Sequence, residues 1–279
     1  MRSILITGCS TGIGRCLAFN LQKQGYRVFA SARKSADVSE LTAAGLESLL
    51  LDLDNSESIQ LAVSTVLERT GGELYALINN GAYGQPGAVE DLSRNALRQQ
   101  FETNLFGTHE LTNLVLPTLR KQGFGRIIQI SSVLGIVSLP YRGAYNASKY
   151  ALEGLSDTLR LELRGTDIHV VLIEPGPIVS KFRDNAYAAF KANIDADHSV
   201  HHHRYQSMIK RFKGESGDTK FTLPPEAVLA KTIHALEARR PKIRYPVTFP
   251  AYLFAALKRL LPFRWMDSIL AIAGGDGKR

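Results

Sequence analysis

The chain is poor in cysteine: two in 279 residues, Cys9 and Cys16, seven apart near one end. That scarcity excludes a small secreted scaffold stapled by disulfides and points to a reducing compartment. It also removes the paired-cysteine spacing of structural zinc sites. Long apolar runs are missing as well. Met1-Arg2-Ser3 leads directly into Ile4-Leu5-Ile6, too short a run for a signal peptide or a membrane span, so a cytoplasmic protein is expected. Acid is missing between Glu237 and Asp267, a stretch that holds several basic residues. Residues 1–203 carry 19 Lys+Arg against 20 Asp+Glu, a net of −1; residues 204–279 carry 15 against 6, a net of +9, which together give the overall +8. A basic tail on a near-neutral body argues against a protein-wide nucleic-acid surface and for a local anionic partner.

What is present is ordinary for a globular protein with a large core: 44% hydrophobic and 22% charged residues. The pattern alternates. Short apolar runs at residues 3–7, 26–30, 49–51, 74–79, 126–130 and 168–173 read as strands. Helical patterns lie between them, the longest over about 93–122 and 141–164. In the first of these, Leu97, Phe101, Leu105, Thr108, Thr112, Val115 and Leu119 recur at helical spacing. Strand–helix alternation predicts an α/β fold, a single-domain doubly wound parallel sheet of Rossmann type with helices on both faces. A helix from Pro224-Pro225-Glu226 to about Arg239 and a last strand at Ile243-Arg244-Tyr245 complete a catalytic domain over residues 1–245. Residues 246–279 form a basic, apolar extension. No internal repeat or inter-domain linker is visible.

Gly8-Cys9-Ser10-Thr11-Gly12-Ile13-Gly14 joins the first strand to the first helix. Glycines there let the backbone turn tightly and approach a pyrophosphate, which the helix amino terminus attracts. An ordinary turn also uses glycine, but the strand-then-helix context favours a dinucleotide. At the tip of the second strand, where an NAD site usually places an acid, stand Ser31-Ala32-Arg33-Lys34. Arg33 suits the 2′-phosphate of NADP. Asp52, after the third strand, is either a partner for the adenine amino group or a turn acid. Asn79-Asn80-Gly81-Ala82 closes the fourth strand, either as a simple turn or as backbone lying close to a ligand. Asn104 is a poor helix former inside a long helix; it either bonds outward to solvent or distorts the helix to hold a water. Ser131-Ser132 ends the fifth strand, at the edge where ligands of parallel sheets bind.

Tyr145 and Lys149 are four apart in a helical segment without Pro or Gly, and so share one face. A free phenol titrates near pH ~10, too high for acid–base work at neutrality. A neighbouring ammonium is expected to lower that value.

Taken in order, these motifs resemble the short-chain dehydrogenase/reductase family in its compact one-domain branch. The resemblance covers about residues 3–180 by motif and extends to 245 by organisation. It implies a catalytic set of Asn104, Ser132, Tyr145 and Lys149, with Ser132 rather than Ser131 because of its interval to the tyrosine. It implies cofactor contacts from Gly8, Ser10, Thr11, Gly12, Ile13, Gly14, Arg33, Asp52, Asn80, Gly81, Tyr145, Lys149, Pro175, Gly176, Ile178 and Ser180. Two departures stand out. Gly81-Ala82 reverses the family's usual Ala-Gly, and Ser180 replaces a usual Thr. Glu174-Pro175-Gly176-Pro177 and Arg244-Tyr245-Pro246 are similar to bacterial NADP-dependent aldehyde reductases and to steroid and retinoid dehydrogenases. The implied activity is NADPH-dependent reduction of a hydrophobic aldehyde or ketone. The other class considered is a non-catalytic NADP-binding sensor or scaffold, which the intact Tyr and Lys disfavour. A sugar-nucleotide epimerase of the extended branch is disfavoured by the glycine spacing and the lack of a second domain. The family commonly pairs through its long helices, so a homodimer or homotetramer is expected.

Residues 181–222 are polar and weakly periodic, which suggests a functional loop or lid, or disorder. Its Phe182, Tyr187, Phe190, Tyr205, Met208 and Phe212 are either core or the lining of a hydrophobic substrate site. His198, His201, His202 and His203 are read as solvated loop residues, with no metal site expected. In the tail, Leu253, Leu257, Leu260 and Leu261 are placed on one face of a helix bracketed by Pro250 and Pro262. That face either packs on the protein or lies in a membrane interface among Lys258, Arg259 and the aromatic residues nearby.

Overall fold

Seven strands carry the architecture of the computed structural model, which describes residues 1–214 and 221–276. The parts of the expected lid at 215–220 and of the tail at 277–279 lie outside the described residues. The strands are β1 (Ser3–Ile6), β2 (Arg27–Ala32), β3 (Glu47–Leu50), β4 (Ala76–Asn79), β5 (Phe124–Ile130), β6 (Asp167–Glu174) and β7 (Arg244–Pro246). They form one sheet in the order β3-β2-β1-β4-β5-β6-β7. Every neighbouring pair is parallel.

Side chains alternate along a strand, and here both faces are apolar, as a sheet covered on both sides requires. Ile4 and Ile6, Val28 and Ala30, Ile128 and Ile130, and Val171 and Ile173 enter one core. It is closed by α1 (Gly12–Lys23), α2 (Ser35–Ala43) and α9 (Glu226–Glu237). Leu5, Phe29, Leu77, Ile127 and Val170 enter the opposite core. There α3 (Ser56–Thr70) and α5 (Gly107–Gln122) pack through Ile59, Val63, Leu111, Val115 and Leu119. Each buried Val, Leu, Ile or Phe among these contributes roughly 1.5–3 kcal/mol. Local chemistry sets the helix starts. Asn55 Oδ1 accepts from Ser58 N at 2.8 Å to begin α3, and Ser93 Oγ accepts from Ala96 N at 3.1 Å to begin α4 (Arg94–Phe101).

The long helix expected over 93–122 is interrupted. Residues Glu102–Phe106 form a π turn between α4 and α5, with Asn104 inside it. The helix expected over 141–164 is α6 (Gly143–Glu162).

The segment read as a loop or lid contains two helices, α7 (Phe182–Asn193) and α8 (His202–Phe212). They pack on each other and on Ala88 through Phe190, Ile194 and Tyr205. In the tail, α10 (Phe249–Leu260) begins with Pro250 in its first turn, and α11 (Phe263–Ala271) follows. Ala251, Met266 and Leu270 pack with Val133, Leu134 and Val137, beside the end of β5. The expected leucine face splits: Leu257 turns toward this cluster, whereas Leu260 is 77% exposed. Among the described residues no helix is long and apolar enough to cross a membrane.

Candidate active site

The order β2-β1-β4 places the sheet's reversal point between β1 and β4, where a crevice opens at the carboxyl ends of the strands. The loop from β1 to α1 is built for close approach. Gly8 and Gly12 have φ of +70° and +56°, the left-handed region that favours glycine. A Cβ on Gly14 would stand 2.2 Å from Gly8 O and 2.5 Å from Asn80 Nδ2, so only glycine lets α1 start against this loop. Asn80 Nδ2 donates to Thr7 O at 2.8 Å and to Gly8 O at 3.1 Å. The N–H groups of Asn80 and Gly81 both donate to Thr7 Oγ1, at 2.9 and 2.8 Å. These bonds tie the ends of β1 and β4 together. At Gly81 of the reversed Gly81-Ala82 an added Cβ would press on Leu53 Cδ1 at 3.0 Å, so the position is tight.

Thr11, the residue before α1, makes no side-chain cap, and the first turn holds no acid. The helix therefore keeps its amino-terminal donors and positive dipole for a ligand. Ser10, Thr11 and Ile13 belong to this same turn, and Ser180 is brought onto it, with its Cβ 2.8 Å from where a Cβ on Gly12 would lie. The cradle fits a dinucleotide pyrophosphate. Arg33 is exposed just beyond β2. One oxygen of Asp52 serves a turn: its Oδ1 accepts from Asp54 N at 3.1 Å. After β6, Pro175 O accepts from Val133 N at 2.8 Å and from the Ser132 hydroxyl at 3.5 Å. A Cβ on Gly176 would lie 2.1 Å from Thr248 Oγ1. Ile178 bridges to Leu223 and packs on the sheet core, and Ser180 Oγ accepts from Phe182 N at 3.3 Å.

Tyr145 and Lys149 project from α6 beneath the turn that carries Ser132. Lys149 is buried and donates from Nζ to Ile130 O at 2.8 Å; the same Nζ lies 5.8 Å from the centre of the Tyr145 ring. The expectation that Lys149 lowers the Tyr145 pKa is not met. Burial pushes the phenol up to about 12, with the Ser132 hydroxyl pulling the other way by hydrogen bonding. Burial also brings Lys149 down to about 8, against the upward pull of Glu153. Both groups lose hydration in one apolar site, so each neutral form is favoured. A neutral phenol is the form that can donate a proton.

Asn104 is fully used. Its Oδ1 accepts from Tyr83 N at 3.1 Å, and its Nδ2 donates to Tyr83 O at 2.9 Å and to Ser148 Oγ at 3.1 Å. Ser148 Oγ in turn donates to Tyr145 O at 2.9 Å. The amide thus joins the π turn, the loop after β4 and α6. Of the two sequence alternatives for this residue, the helix distortion is the one found. Gln100, one turn earlier, adds bonds to Tyr83 O at 2.9 Å and Gln85 N at 2.7 Å.

Phe182 reaches Tyr145, with ring centres 5.4 Å apart in an edge contact. Phe190 and Tyr205, which the sequence left open as core or lining, are core. Their rings meet at 5.1 Å, and the Tyr205 hydroxyl accepts from Ala88 N and donates to Asp91. The histidines engage separate partners: His198 with Asp195 at 2.9 Å, and His201 with Glu90 at 2.6 Å. Sequence reasoning missed Gln100, Thr248 and Glu153. Only Glu153 left a signal, four residues beyond Lys149 on the same helical face.

The chain matches the family model described as short chain dehydrogenase over residues 2–190. It is 45% identical over 269 residues to the uncharacterized oxidoreductase YbbO of Escherichia coli K12, covering 96% of this chain and 94% of that one. It is 32% identical to an NADPH-dependent 3-dehydrocapnine reductase of Ornithobacterium rhinotracheale, covering 96% of each. A solved short chain dehydrogenase/reductase of Burkholderia phymatum in complex with NAD superposes with a TM-score of 0.77 at 26% identity, covering 96% of this chain and 94% of that one. With the glycine cradle, the Tyr145–Lys149 pair and the sheet order already in view, these matches place the chain in the short-chain dehydrogenase/reductase family, as an oxidoreductase whose fold takes a nicotinamide cofactor.

Proposed function

We propose that the protein is an NADPH-dependent reductase of hydrophobic aldehydes or ketones, working in reverse as an alcohol dehydrogenase. The observation that carries this is the gathering of Ser132, Tyr145 and Lys149 at the carboxyl edge of the sheet, with Phe182 lying over the tyrosine. When bound, the cofactor supplies the hydride. Gly8, Ser10, Thr11, Gly12, Ile13 and Gly14 receive its pyrophosphate, Arg33 its 2′-phosphate and Asp52 its adenine. Asn80, Gly81, Pro175, Gly176, Ile178 and Ser180 line the nicotinamide end. Ser132 and Tyr145 hydrogen-bond the substrate oxygen and stabilise the charge that develops there. Tyr145 gives the proton. Lys149 holds the ribose and supports the tyrosine, and Asn104 fixes the helix turn behind it. In this reading residues 1–245 carry catalysis, with the helices of 181–222 as the cover.

NADPH rather than NADH follows from Arg33 and the absence of an acid at the tip of β2. The NADPH dependence in the name of the Ornithobacterium relative supports it. The test is a panel of aliphatic aldehydes and 3-ketones of increasing chain length, each with NADPH and with NADH. Rising kcat/KM with chain length and a preference for NADPH are expected. A flat response, or a preference for NADH, would refute the substrate class or the cofactor respectively.

Two partners follow. Outward-facing Leu97, Phe106, Leu155 and Leu161 on α4–α6 and the adjoining turn suit a homodimer or homotetramer, to be checked by light scattering. The corner between α10 and α11 exposes Leu260, Phe263 (87%) and Trp265 (66%) among Arg259 and Arg264. Such a corner suits peripheral contact with an anionic membrane surface. Co-sedimentation with anionic but not neutral vesicles, lost in a Phe263→Ser/Trp265→Ser variant, is expected; no binding to either would remove the membrane contact.

A further inference from the structure

Along α6 four ionisable side chains recur at intervals of four: Tyr145, Lys149, Glu153 and Asp157. That interval keeps them on one face. Lys149 and Glu153 are both buried, 3% and 7% exposed. Beyond Lys149 the stripe meets Arg244 of the edge strand β7. Arg244 Nη2 donates to Glu153 Oε2 at 3.0 Å and to Asp157 Oδ2 at 2.7 Å. Its Nε stands 3.1 Å from Glu174 Oε1, close enough for an ion pair but not aligned for a hydrogen bond. Glu174 is 1% exposed and immediately precedes Pro175-Gly176. One guanidinium therefore gathers three carboxylates directly behind the candidate catalytic lysine.

A buried carboxylate survives as an anion only when paired. Glu153 gains nothing for packing that an apolar side chain would not supply better, and its position invites a different account. We propose that Glu153 is a positioning residue for the reaction: kept ionised by Arg244, it holds the Lys149 ammonium charged beside Tyr145. This rests on the reading of Lys149 as the support of Tyr145.

The groups that bear on the pair come from every surrounding element. Lys149 faces the Tyr145 ring and feels the charge of Glu153, both from its own helix, and it meets Ile130 O from β5. Glu153 meets Arg244 from β7, Asp157 from α6 and the Ser131 hydroxyl from the end of β5. Ser131 lies near enough to help hold the carboxyl's pKa down, although its Oγ and Glu153 Oε1 close no well-formed hydrogen bond. Glu174 meets Arg244, and more remotely Glu153 and Arg259 of α10. Burial drives the lysine toward its neutral form and the Glu153 carboxylate opposes it. Burial likewise drives Glu153 toward its neutral form, and Arg244 opposes that. The chain of influence runs Arg244, Glu153, Lys149.

The test reads Lys149 directly, by NMR titration of protein carrying ¹³Cε-labelled lysine, with the resonance assigned by its loss in Lys149→Arg. Glu153→Gln keeps the shape and leaves Arg244 its other two carboxylates, so the fold is retained. In that variant the Lys149 pKa is expected to fall by roughly one unit or more. Arg244→Met should move it the same way, because Glu153 then takes a proton, and the double variant should move it no further. Glu174→Gln should leave it unmoved. A wild-type Lys149 pKa in both Glu153→Gln and Arg244→Met, each showing native circular dichroism, would overturn the proposal. The alkaline limb of the kcat profile should move down with the NMR value. An NMR shift with a fixed limb would uphold the electrostatic coupling and refute the catalytic reading of Lys149 on which its relevance to the reaction rests.

Discussion

Asn104→Ala tests whether the buried amide is a bracket or a spectator. The substitution removes three hydrogen bonds, but their partners do not fare alike. Tyr83 O keeps the bond from Gln100 Nε2 at 2.9 Å, and Ser148 Oγ still donates to Tyr145 O at 2.9 Å. Tyr83 N loses its acceptor, at roughly 1–3 kcal/mol for a donor left unpaired away from water. The Ser148 bond is worth about 0.5–1.5 kcal/mol. The sum is about 2–4 kcal/mol, to be read from urea unfolding followed by far-UV circular dichroism. Asn104→Asp sharpens the case. Its carboxyl can still accept from Tyr83 N, but its second oxygen faces Tyr83 O and must carry a proton to donate there. Burial and that contact raise its folded pKa above the unfolded value. The unfolded state then loses its proton first, so stability falls as pH rises from about 4 through the folded pKa. Asn104→Asp should approach wild type at low pH and lose ground toward neutrality. A loss below about 0.5 kcal/mol in Asn104→Ala, the scatter of an ordinary surface change, would refute the bracket.

Other outcomes follow from the same geometry. Arg33→Asp sets a like charge against the 2′-phosphate; NADPH affinity by fluorescence titration should fall about tenfold or more while NADH affinity barely changes. Phe182→Ala removes the ring that meets Tyr145 edge-on, so KM should rise for long-chain substrates and change little for short ones, in steady-state assays across chain length. Glu174 is driven up to about 7, first by burial and then by Glu153. Its folded pKa lies above its unfolded value, so the stability it contributes is present below about pH 4.5 and is lost as pH rises through about 7. Thermal unfolding of Glu174→Gln between these limits should show a flatter pH dependence, with a relative gain over wild type above pH 7.

The sequence shows most plainly what depends on neighbours in the chain. The glycine cradle and the four-residue step from Tyr145 to Lys149 are local, and both were legible. So was the parallel sheet, since residue-by-residue alternation into two cores such as Ile4 and Leu5 leaves a nearly continuous apolar run. Contacts between distant segments left no such trace. Phe190 and Tyr205 find each other and Ala88 across a hundred residues, which disguised two packed helices as a lid loop. Leu257 and Leu260 are three apart, a spacing that suggests one face, but only the docking of α10 beside Val133 decides that Leu257 packs and Leu260 does not. The direction of the Tyr145 shift was misjudged because an ammonium four residues away is visible in sequence and the burial that outweighs it is not. Arg244 was read as part of a motif; its three carboxylates come from two other elements.

In the proposed reaction Tyr145 is the proton donor of an NADPH-dependent carbonyl reduction. The most direct measurement is single-turnover oxidation of NADPH by a long-chain aldehyde, for wild type and Tyr145→Phe, with NADPH binding measured in parallel by fluorescence. The phenylalanine keeps the ring against Phe182 and loses only the hydroxyl. NADPH binding should stay near normal and the rate should fall by roughly 10²–10⁴-fold, the range for a positioned general acid. A rate within a few-fold of wild type, with the alcohol product still formed, would contradict that role.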